Sequence, residues 1–425
     1  MAEKNYLIHT LEGVRDIYGA ECRRKLAVQE KILQVLYSYG YEHIQTPSFE
    51  YFDIFSKDRG SVGQRELFKF FDRDNETLVL RPDMTPAVAR FVAKYHCEDP
   101  MPLRLCYLER TFKNNSSYQG RLKERTETGA EMIGDDCADA DAEMIAMVID
   151  CLKASGLKDF QVELGQVEFY RGLVEESGLD EETQEQLWEL IENKNFFGVE
   201  ELLDATSISQ EQKAVFLKLP QLFGSIDRIR EARTMTTNKR ALFAIERLEK
   251  VHAIMENYGL SDYISFDLGM LSKYQYYTGI IFKAYTYGTG DYIVTGGRYD
   301  RLLEQFGKSA PAVGFAIVVD RLLMALASQG ISLPVNETNT MILFDVSARV
   351  PAIRLAKHFR SHSFSVQFQR KHKTPSLEDY LKTAAESGLS NVLYVAGDGL
   401  AVQAFNVKTG QCDQIPMSEY LGSEE

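Results

Sequence analysis

Four short segments carry acidic side chains, hydroxyl groups, tyrosines or glycines in patterns that suit a small cationic ligand. The segment LRPDMT places Asp83 and Thr85 two residues apart after a predicted strand, where both can face a ligand ammonium group. Asp and Thr in that position are also common helix caps. Glu127 and Glu131 are four residues apart in another predicted strand, so their side chains lie on one face of a sheet.

Two carboxylates on one sheet face are costly to bury without a cationic partner. A ligand ammonium or imidazolium group would supply that partner, and so would a neighbouring Lys or Arg on an exposed acidic face. The segments YQYYTGIIF (274–282) and TGGRYDRLLEQFG (295–307) add tyrosines and a Gly-Gly pair. The tyrosines suit a ligand pocket or a core strand, and the glycines suit close backbone approach or a tight hairpin turn.

The elements around these segments mix helices and strands without a regular βαβ alternation, which predicts an α+β core with an antiparallel sheet. Apolar spacing predicts helices over 19–40, 83–95, 139–156 and 312–329. Strands are predicted over 78–82, 103–112, 129–134, 263–268, 276–286 and 291–295. Between about 168 and 260, Leu, Ile and Phe recur every three or four positions, which predicts a helical insertion.

A short polar linker after Pro334 separates the core, residues 1–330, from a predicted domain at 336–425. This last part alternates strands and helices, which predicts a small α/β domain with a largely parallel sheet. It carries nine basic and ten acidic side chains and is therefore nearly neutral.

The composition narrows the class of protein. The 425 residues carry a net charge of −14, and tight nucleic-acid binding usually needs a clustered basic face. The six cysteines match no zinc-site spacing. No run reaches the length of a signal-peptide core or the roughly 18 apolar residues of a membrane span. We expect a cytoplasmic protein without a metal, a cofactor or a membrane segment.

The order of the segments resembles the catalytic core of histidyl-tRNA synthetase, a class II aminoacyl-tRNA synthetase. GYEHIQTPSFEYFDIF (40–55) looks like class II motif 1, the strand–loop–strand at 104–134 like motif 2, and PAVGFAIVVDRLL (311–323) like motif 3. The resemblance covers roughly residues 10–330 and implies an antiparallel sheet flanked by helices. It puts residues 336–425 in the place of an anticodon-binding domain.

The resemblance also implies a histidine pocket. Asp83 and Thr85 would hold the α-amino group, Glu127 would strengthen that contact, and Glu131 would accept a hydrogen bond from the imidazole. The full set of implied histidine-binding residues is Asp83, Thr85, Lys113, Glu127, Glu131, Tyr276, Tyr277 and Tyr299. Arg121 and Arg321 remain as candidates for residual phosphate binding.

The positions that serve ATP chemistry depart from the synthetase pattern. Lys113 stands where the family has the motif 2 arginine, and it lacks the planar fork that binds phosphate oxygens bidentately. Arg125 replaces the aromatic residue that stacks on adenine, and Ser272 replaces a histidine-specific arginine. Losing one such preorganised donor typically costs about two to three orders of magnitude in rate.

A chain that keeps the amino-acid pocket but departs at the positions for ATP chemistry is similar to the ATP phosphoribosyltransferase regulatory subunit family. The phrases YYTGIIF and LERTFKNN look more like that family than like a working synthetase. It implies no catalysis by this chain, feedback inhibition by histidine and a hetero-octamer with a short-form catalytic subunit. It also implies a self-dimer through the motif 1 region and no tRNA binding.

Two other interpretations remain open. One is a divergent but active histidyl-tRNA synthetase, which needs an adenylate-competent site and a tRNA-binding tail. The other is a synthetase-like module that binds another amino acid or RNA. Glu131, Tyr277 and Tyr299 favour histidine as the ligand.

Overall fold

The computed structural model describes residues 8–55, 63–96, 98–115, 122–272, 276–334 and 339–421. Arg121, one of the two predicted phosphate-binding residues, lies outside these ranges. Contacts along the chain divide it into two units, residues 1–333 and 334–425. No helix in the described ranges is long and apolar enough to cross a membrane.

The first unit contains both strands and helices. Its described strands are β1 (Glu42–His43), β2 (Phe49–Tyr51), β3 (Lys69–Phe71), β4 (Thr77–Leu80), β5 (Leu103–Phe112), β6 (Glu124–Ile133), β7 (Gln161–Gln166), β8 (Phe223–Gly224), β9 (Ile264–Asp267), β10 (Ile280–Tyr285), β11 (Val294–Arg298) and β12 (Ala312–Val318). Its described helices are α1 (Gly19–Ser38), α2 (Thr85–Tyr95), α3 (Ala138–Ala154), α4 (Val167–Ser177), α5 (Glu181–Glu192), α6 (Phe196–Asp204), α7 (Gln210–Lys218), α8 (Ile226–Arg233), α9 (Lys239–Asn257) and α10 (Val319–Ser328).

A nine-stranded sheet in the order β1-β5-β6-β12-β11-β10-β7-β9-β8 forms the centre of this unit. Every pairing from β5 to β7 is antiparallel, whereas β1 joins β5 and β9 joins β7 in parallel. Strands β2, β4 and β3 form a separate small antiparallel sheet. The antiparallel sheet with flanking helices confirms the predicted α+β, class II synthetase-like fold.

The hairpin of β5 and β6 was predicted in part from the sequence. The predicted strand 103–112 coincides with β5, whose odd-numbered residues share one face. Strand β6 begins at Glu124, five residues before the predicted start at 129. The first half of β6 reads ERTET, in which no apolar side chain alternates with the polar ones. Hydrophobic periodicity therefore could not identify this part of the strand.

The helix predicted over 312–329 is wrong in its first half. Residues Ala312–Val318 form strand β12, and the helix starts only at Val319. The run AVGFAIV is inserted between β6 and β11 in the middle of the sheet. An unbroken apolar run has no periodicity that distinguishes a buried strand from a buried helix. The predicted helix therefore includes residues 312–318 together with the helical spacing of α10.

One face of the sheet is closed by helices. Cys106 and Met132 point to that face and belong to the same apolar cluster as Val28 and Ile32 of α1 and Ile145 of α3. Burial of such side chains contributes roughly 1.5–3 kcal/mol each. The opposite face carries Glu127 and Glu131, and its apolar residues Leu105 and Tyr107 pack with Val88 of α2 in a second cluster.

Helices α4 to α9 form an insertion within the first unit, and a buried ion network ties it to the sheet. Asp141 of α3 is fully buried, and both Arg298 of β11 and Arg247 of α9 bind its carboxylate at 2.7 Å. Arg298 also donates to Asp300 at 3.1 Å. Because Arg247 belongs to the last helix of the insertion, this network joins the insertion to a strand of the candidate site.

The second unit has its own sheet and apolar cores. Its elements are β13 (Thr340–Phe344), α11 (Arg349–Ser361), β14 (Val366–Arg370), α12 (Leu377–Glu386), β15 (Asn391–Val395), β16 (Ala401–Asn406), β17 (Cys412–Pro416) and α13 (Met417–Leu421). The sheet order is β14-β13-β15-β16-β17. The first three strands are parallel as predicted, and the antiparallel strands β16 and β17 were not predicted.

Candidate functional site

Glu131 lies at the centre of a group of polar and aromatic side chains on the sheet face opposite α1 and α3. Its carboxylate is 1% exposed. It accepts hydrogen bonds from the Thr85 hydroxyl at 2.9 Å and from the Tyr299 hydroxyl at 2.6 Å. We call Asp83, Thr85, Glu131, Tyr276, Tyr277 and Tyr299 the Glu131 cluster. No described Lys or Arg forms an ion pair with Glu131.

The Glu131 carboxylate fits only because the neighbouring strands carry glycines. A Cβ atom at Gly314 of β12 would lie 1.6 Å from Oε2 of Glu131. A Cβ atom at Gly297 of β11 would lie 2.7 Å from the Tyr277 ring. The Gly-Gly pair therefore allows close packing inside a strand, and the tight hairpin turn considered for it is wrong.

Burial governs the titration of Glu131. It raises the pKa of the carboxyl group from 4.5 to about 8, although the Tyr299 and Thr85 hydroxyls act in the opposite direction. A buried carboxylate is stabilised by donors and cations that reach it. The Glu131 cluster is therefore suited to a ligand that brings an N–H group or a positive charge.

Asp83 forms the second anionic point of the cluster and is only partly buried. One oxygen accepts the backbone amide of Thr85 at 3.3 Å, and the other accepts the Tyr276 hydroxyl at 3.0 Å. Thr85 thus lies between the two carboxylates, with its amide on Asp83 and its hydroxyl on Glu131. Asp83 and Thr85 do not cap α2, because the cap position is Met84 and has no side-chain cap hydrogen bond, whereas Asp83 accepts the amide of Thr85, the first residue of the helix.

Arg81 fixes the backbone that precedes Asp83. It is completely buried, and its guanidinium donates to the carbonyl oxygens of Thr46 and Arg110 at 2.6 and 2.8 Å. It also forms an ion pair with Glu109 at 2.5 Å. These bonds connect the motif 1-like segment, β5 and the LRPDMT segment, and they hold the start of α2 against the sheet.

Tyrosines form the walls of the cluster. The Tyr276 ring makes edge contacts with the rings of Tyr277 and Tyr299, at centroid distances of 4.9 and 6.0 Å. Burial raises the pKa of Tyr277 and Tyr299 well above the ordinary value, so both remain phenols. Such rings offer an apolar surface with a hydroxyl at one end.

Tyr107 belongs to the same site and was missed by the sequence interpretation. Its side chain is fully buried, and its hydroxyl donates to the Phe315 carbonyl at 3.4 Å. Glu131 is also a hydrogen-bonding partner of this hydroxyl. The alternation along β5 could have identified it. Tyr107 is two residues from Leu105, which pairs with Glu131, so the Tyr107 side chain lies on the same face of the sheet as Glu131.

Lys113, Arg125 and Glu127 form the neighbouring end of the site. Arg125 binds Glu127 at 2.5 Å and donates to the Thr111 hydroxyl at 3.2 Å. Burial and the adjacent Arg125 charge lower the pKa of Lys113 to about 8, while the charges of Glu127 and Asp83 oppose this. Glu127 thus has a protein cation as its partner, in contrast to Glu131.

Arg321 is placed away from the cluster. Its guanidinium binds Asp291 at 2.6 Å, donates to the Tyr292 carbonyl at 2.7 Å and lies over the Tyr292 ring. These contacts engage most of its donors. The described residues contain no group of three or more metal-ligating His, Cys, Asp or Glu side chains.

A cleft of about 770 Å³ lies elsewhere, beside α1. Its lining includes Arg15, Lys25, Glu109, Arg110 and Arg125, and none of the eight predicted histidine-binding residues. The candidate site therefore rests on the convergence of side chains around Glu131 rather than on cavity size.

Comparison with known proteins bears on this geometry. The histidyl-tRNA synthetase family model matches residues 13–322. Curated ATP phosphoribosyltransferase regulatory subunits from Acetivibrio thermocellus and Ruminiclostridium cellulolyticum are 38% and 37% identical to the chain. These alignments cover 99% and 98% of this chain, and 100% and 99% of the relatives. The chain belongs to the ATP phosphoribosyltransferase regulatory subunit family.

Solved structures agree with this family assignment. A Bacillus halodurans protein described as an ATP phosphoribosyltransferase regulatory subunit/histidyl-tRNA synthetase superposes with a TM-score of 0.83 at 31% identity, over 93% of this chain and 100% of that chain. A histidyl-tRNA synthetase from Nostoc sp. PCC 7120 superposes with a TM-score of 0.81 at 18% identity, over 97% and 98%. The second match shows a shared fold. The relatives' name, regulatory subunit, is consistent with a non-catalytic role.

Proposed function

We propose that this chain is the histidine-sensing, non-catalytic subunit of a cytoplasmic ATP phosphoribosyltransferase in the first step of histidine biosynthesis. The observation that carries the proposal is Glu131, a buried carboxylate that receives three tyrosine or threonine hydroxyls and no described cation. Burying a carboxylate in this way costs free energy unless a ligand compensates. Asp83 is the second carboxylate, and Thr85 links it to Glu131 by donating its amide to Asp83 and its hydroxyl to Glu131.

Histidine matches both anionic points. Its α-ammonium group would contact Asp83, and an imidazole N–H would bind Glu131. The Thr85 hydroxyl donates to Oε1 of Glu131 at 2.9 Å. A carboxylate has about four lone-pair sites, so Glu131 can accept a ligand N–H beside the hydroxyls that it already accepts. The rings of Tyr277 and Tyr299 would flank the imidazole.

The neighbouring end of the site does not support adenylate chemistry in this proposal. A synthetase needs cationic forks for phosphate and a flat surface for adenine. Lys113 supplies a point charge, and the Arg125 guanidinium is engaged by Glu127 and Thr111. Ser272 carries a hydroxyl where the resemblance expects an arginine. We therefore assign the transferase chemistry to the partner subunit.

The names of the relatives support a partner, because a regulatory subunit of ATP phosphoribosyltransferase acts with a catalytic one. We expect a short-form catalytic subunit in a hetero-octamer and a self-dimer of this chain through residues 40–55. Histidine would favour one quaternary arrangement by binding it more tightly, and the coupled catalytic subunit would change its activity.

ATP–pyrophosphate exchange with histidine, measured beside a pull-down with the short-form transferase, tests the proposal. We expect capture of the transferase and no exchange above a no-enzyme control. An active histidyl-tRNA synthetase, added at the same concentration, is the positive control for exchange. Robust exchange by this chain would instead support a divergent synthetase and overturn the regulatory assignment.

A further inference from the structure

A second cavity, of about 310 Å³, lies between the β7–β9 part of the sheet and the helical insertion. The sheet contributes Glu163 and Asp267, and the passage from α5 to α6 contributes Lys194 and Phe196. Phe223 of β8 lies on the same wall. We call this the Asp267 cavity, and it shares no residue with the Glu131 cluster.

Four polar side chains share this face of the sheet, and two of them, Glu163 and Asp267, line the cavity. Glu163 of β7 is in register with Lys283 of β10 on one side and with Ser265 of β9 on the other. Asp267 follows Ser265 by two residues and therefore points to the same face. The intervening residues of β7 and β9 point to the opposite face and pack in the apolar core.

These charges are not neutralised by direct pairing. No ion pair joins Glu163, Asp267, Lys194 or Lys283 to another residue in the described part of the chain. Asp267 is only 9% exposed, and its hydrogen bonds come from the backbone, including the Gly269 amide at 2.9 Å. The buried Ser265 hydroxyl has no hydrogen-bond partner among the described residues.

Electrostatics supports the same conclusion. Burial raises the pKa of Asp267, and burial together with the nearby Asp267 charge raises the pKa of Glu163. Burial lowers the pKa of Lys283. Buried charges are normally paired, because isolated ones are costly. Lys194 and Lys283 offset the charges of Asp267 and Glu163 only from a distance and form no ion pair with them, so an ammonium group bound in the cavity would complete the pairing of the two carboxylates.

The cavity indicates the class of this molecule. Its volume is at the lower end of the about 300–1,000 Å³ typical of ligand sites, which excludes a nucleotide-sized occupant. Carboxylates line its inner wall, and the exposed Lys194 stands at its edge beside Phe196. We propose that the Asp267 cavity binds a small zwitterion of amino-acid size, with its ammonium group at Asp267 and Glu163 and its anionic group at Lys194.

Titration calorimetry of the full chain tests this site with a panel of the twenty common amino acids. The titrations use the Glu131→Gln background, which weakens histidine binding at the Glu131 cluster about 5- to 30-fold, and only binding that Asp267→Asn or Lys194→Asn weakens is assigned to the Asp267 cavity. Putrescine, which has no carboxylate, and succinate, which has no ammonium group, complete the panel. We expect at least one amino acid to bind, and neither putrescine nor succinate to match its affinity. Binding by no amino acid, or tighter binding of putrescine or succinate, overturns the proposal.

Variants locate the binding. Asp267→Asn should weaken the amino acid at least tenfold, while Asn still accepts the Gly269 amide. Lys194→Asn should weaken it several-fold, and Asn tolerates the left-handed backbone (φ 55°) found there. Lys239→Asn changes an exposed lysine of the same insertion and should have no effect. Because Lys194 is exposed, its variant decides the matter even if Asp267→Asn fails to fold, and unchanged affinity in Lys194→Asn contradicts the site.

Discussion

Replacing Glu131 with Gln isolates the role of its charge in histidine binding. Gln has nearly the same shape and still accepts the Thr85 or Tyr299 hydroxyl. Hydrogen bonds to charged groups contribute roughly 1.5–3 kcal/mol, against roughly 0.5–1.5 kcal/mol for neutral ones. A loss of about 1–2 kcal/mol corresponds to about 5- to 30-fold weaker binding. Titration calorimetry of the isolated chain with L-histidine at pH 8.5 measures it.

The pH dependence of this difference is the sharper test. Burial raises the pKa of Glu131 to about 8, so it is largely neutral at pH 6.5 and resembles Gln there. Histidine's own titration affects both chains equally and cancels in the ratio of their dissociation constants. The ratio should therefore grow from pH 6.5 to pH 8.5. A ratio near one at pH 8.5, or one that grows towards acid, refutes the reasoning. Glu124→Gln, on the opposite face of the same strand, is the matched control.

Three further predictions concern the architecture around the site. Gly314→Ala should abolish histidine binding and lower the melting temperature in calorimetric assays, because the added Cβ would clash with the Glu131 carboxylate. Gly63→Ala is the control and should change neither quantity, because no atom lies within 4 Å of its added Cβ. The free energy of unfolding should fall by on the order of 5 kcal/mol from Glu131 alone as pH rises from 4.5 to about 8. The reason is that Glu131 keeps its proton to a higher pH in the folded state than in the unfolded state. Urea titrations should show this decrease in the wild type and not in Glu131→Gln. Asp141→Ala should cost about 3–5 kcal/mol in such titrations, because it leaves Arg298 and Arg247 buried without their anion, and an unchanged midpoint would contradict the network.

Much of the fold was predictable because its elements carry clear local patterns. The helical spacing of α1 follows from burial along one face, whereas α3 is recognisable from its long apolar run although it is buried on nearly all sides. The apolar run of β12 defeated the same reasoning, since both of its faces are buried and its neighbours in the sheet are distant in sequence. Strand β6 was recognised only in its apolar half.

The site was predictable as a set of residue types but not as a set of contacts. Glu127 and Glu131 have the same type, strand and face, yet Glu127 is paired with Arg125 and Glu131 is not. That distinction depends on where long side chains from other segments reach, which spacing does not encode. The role of Gly314 is equally invisible, because it depends on a carboxylate from the adjacent strand.

The central claim is that histidine bound by this chain controls a catalytic partner. The most direct measurement is the steady-state activity of the short-form transferase, rebuilt with this chain and titrated with histidine, beside the same complex rebuilt with Glu131→Gln. We expect histidine to inhibit the wild-type complex, and we expect the variant complex to need about 5- to 30-fold more histidine for the same inhibition. Equal inhibition of both complexes, or none of the wild-type complex, would contradict it.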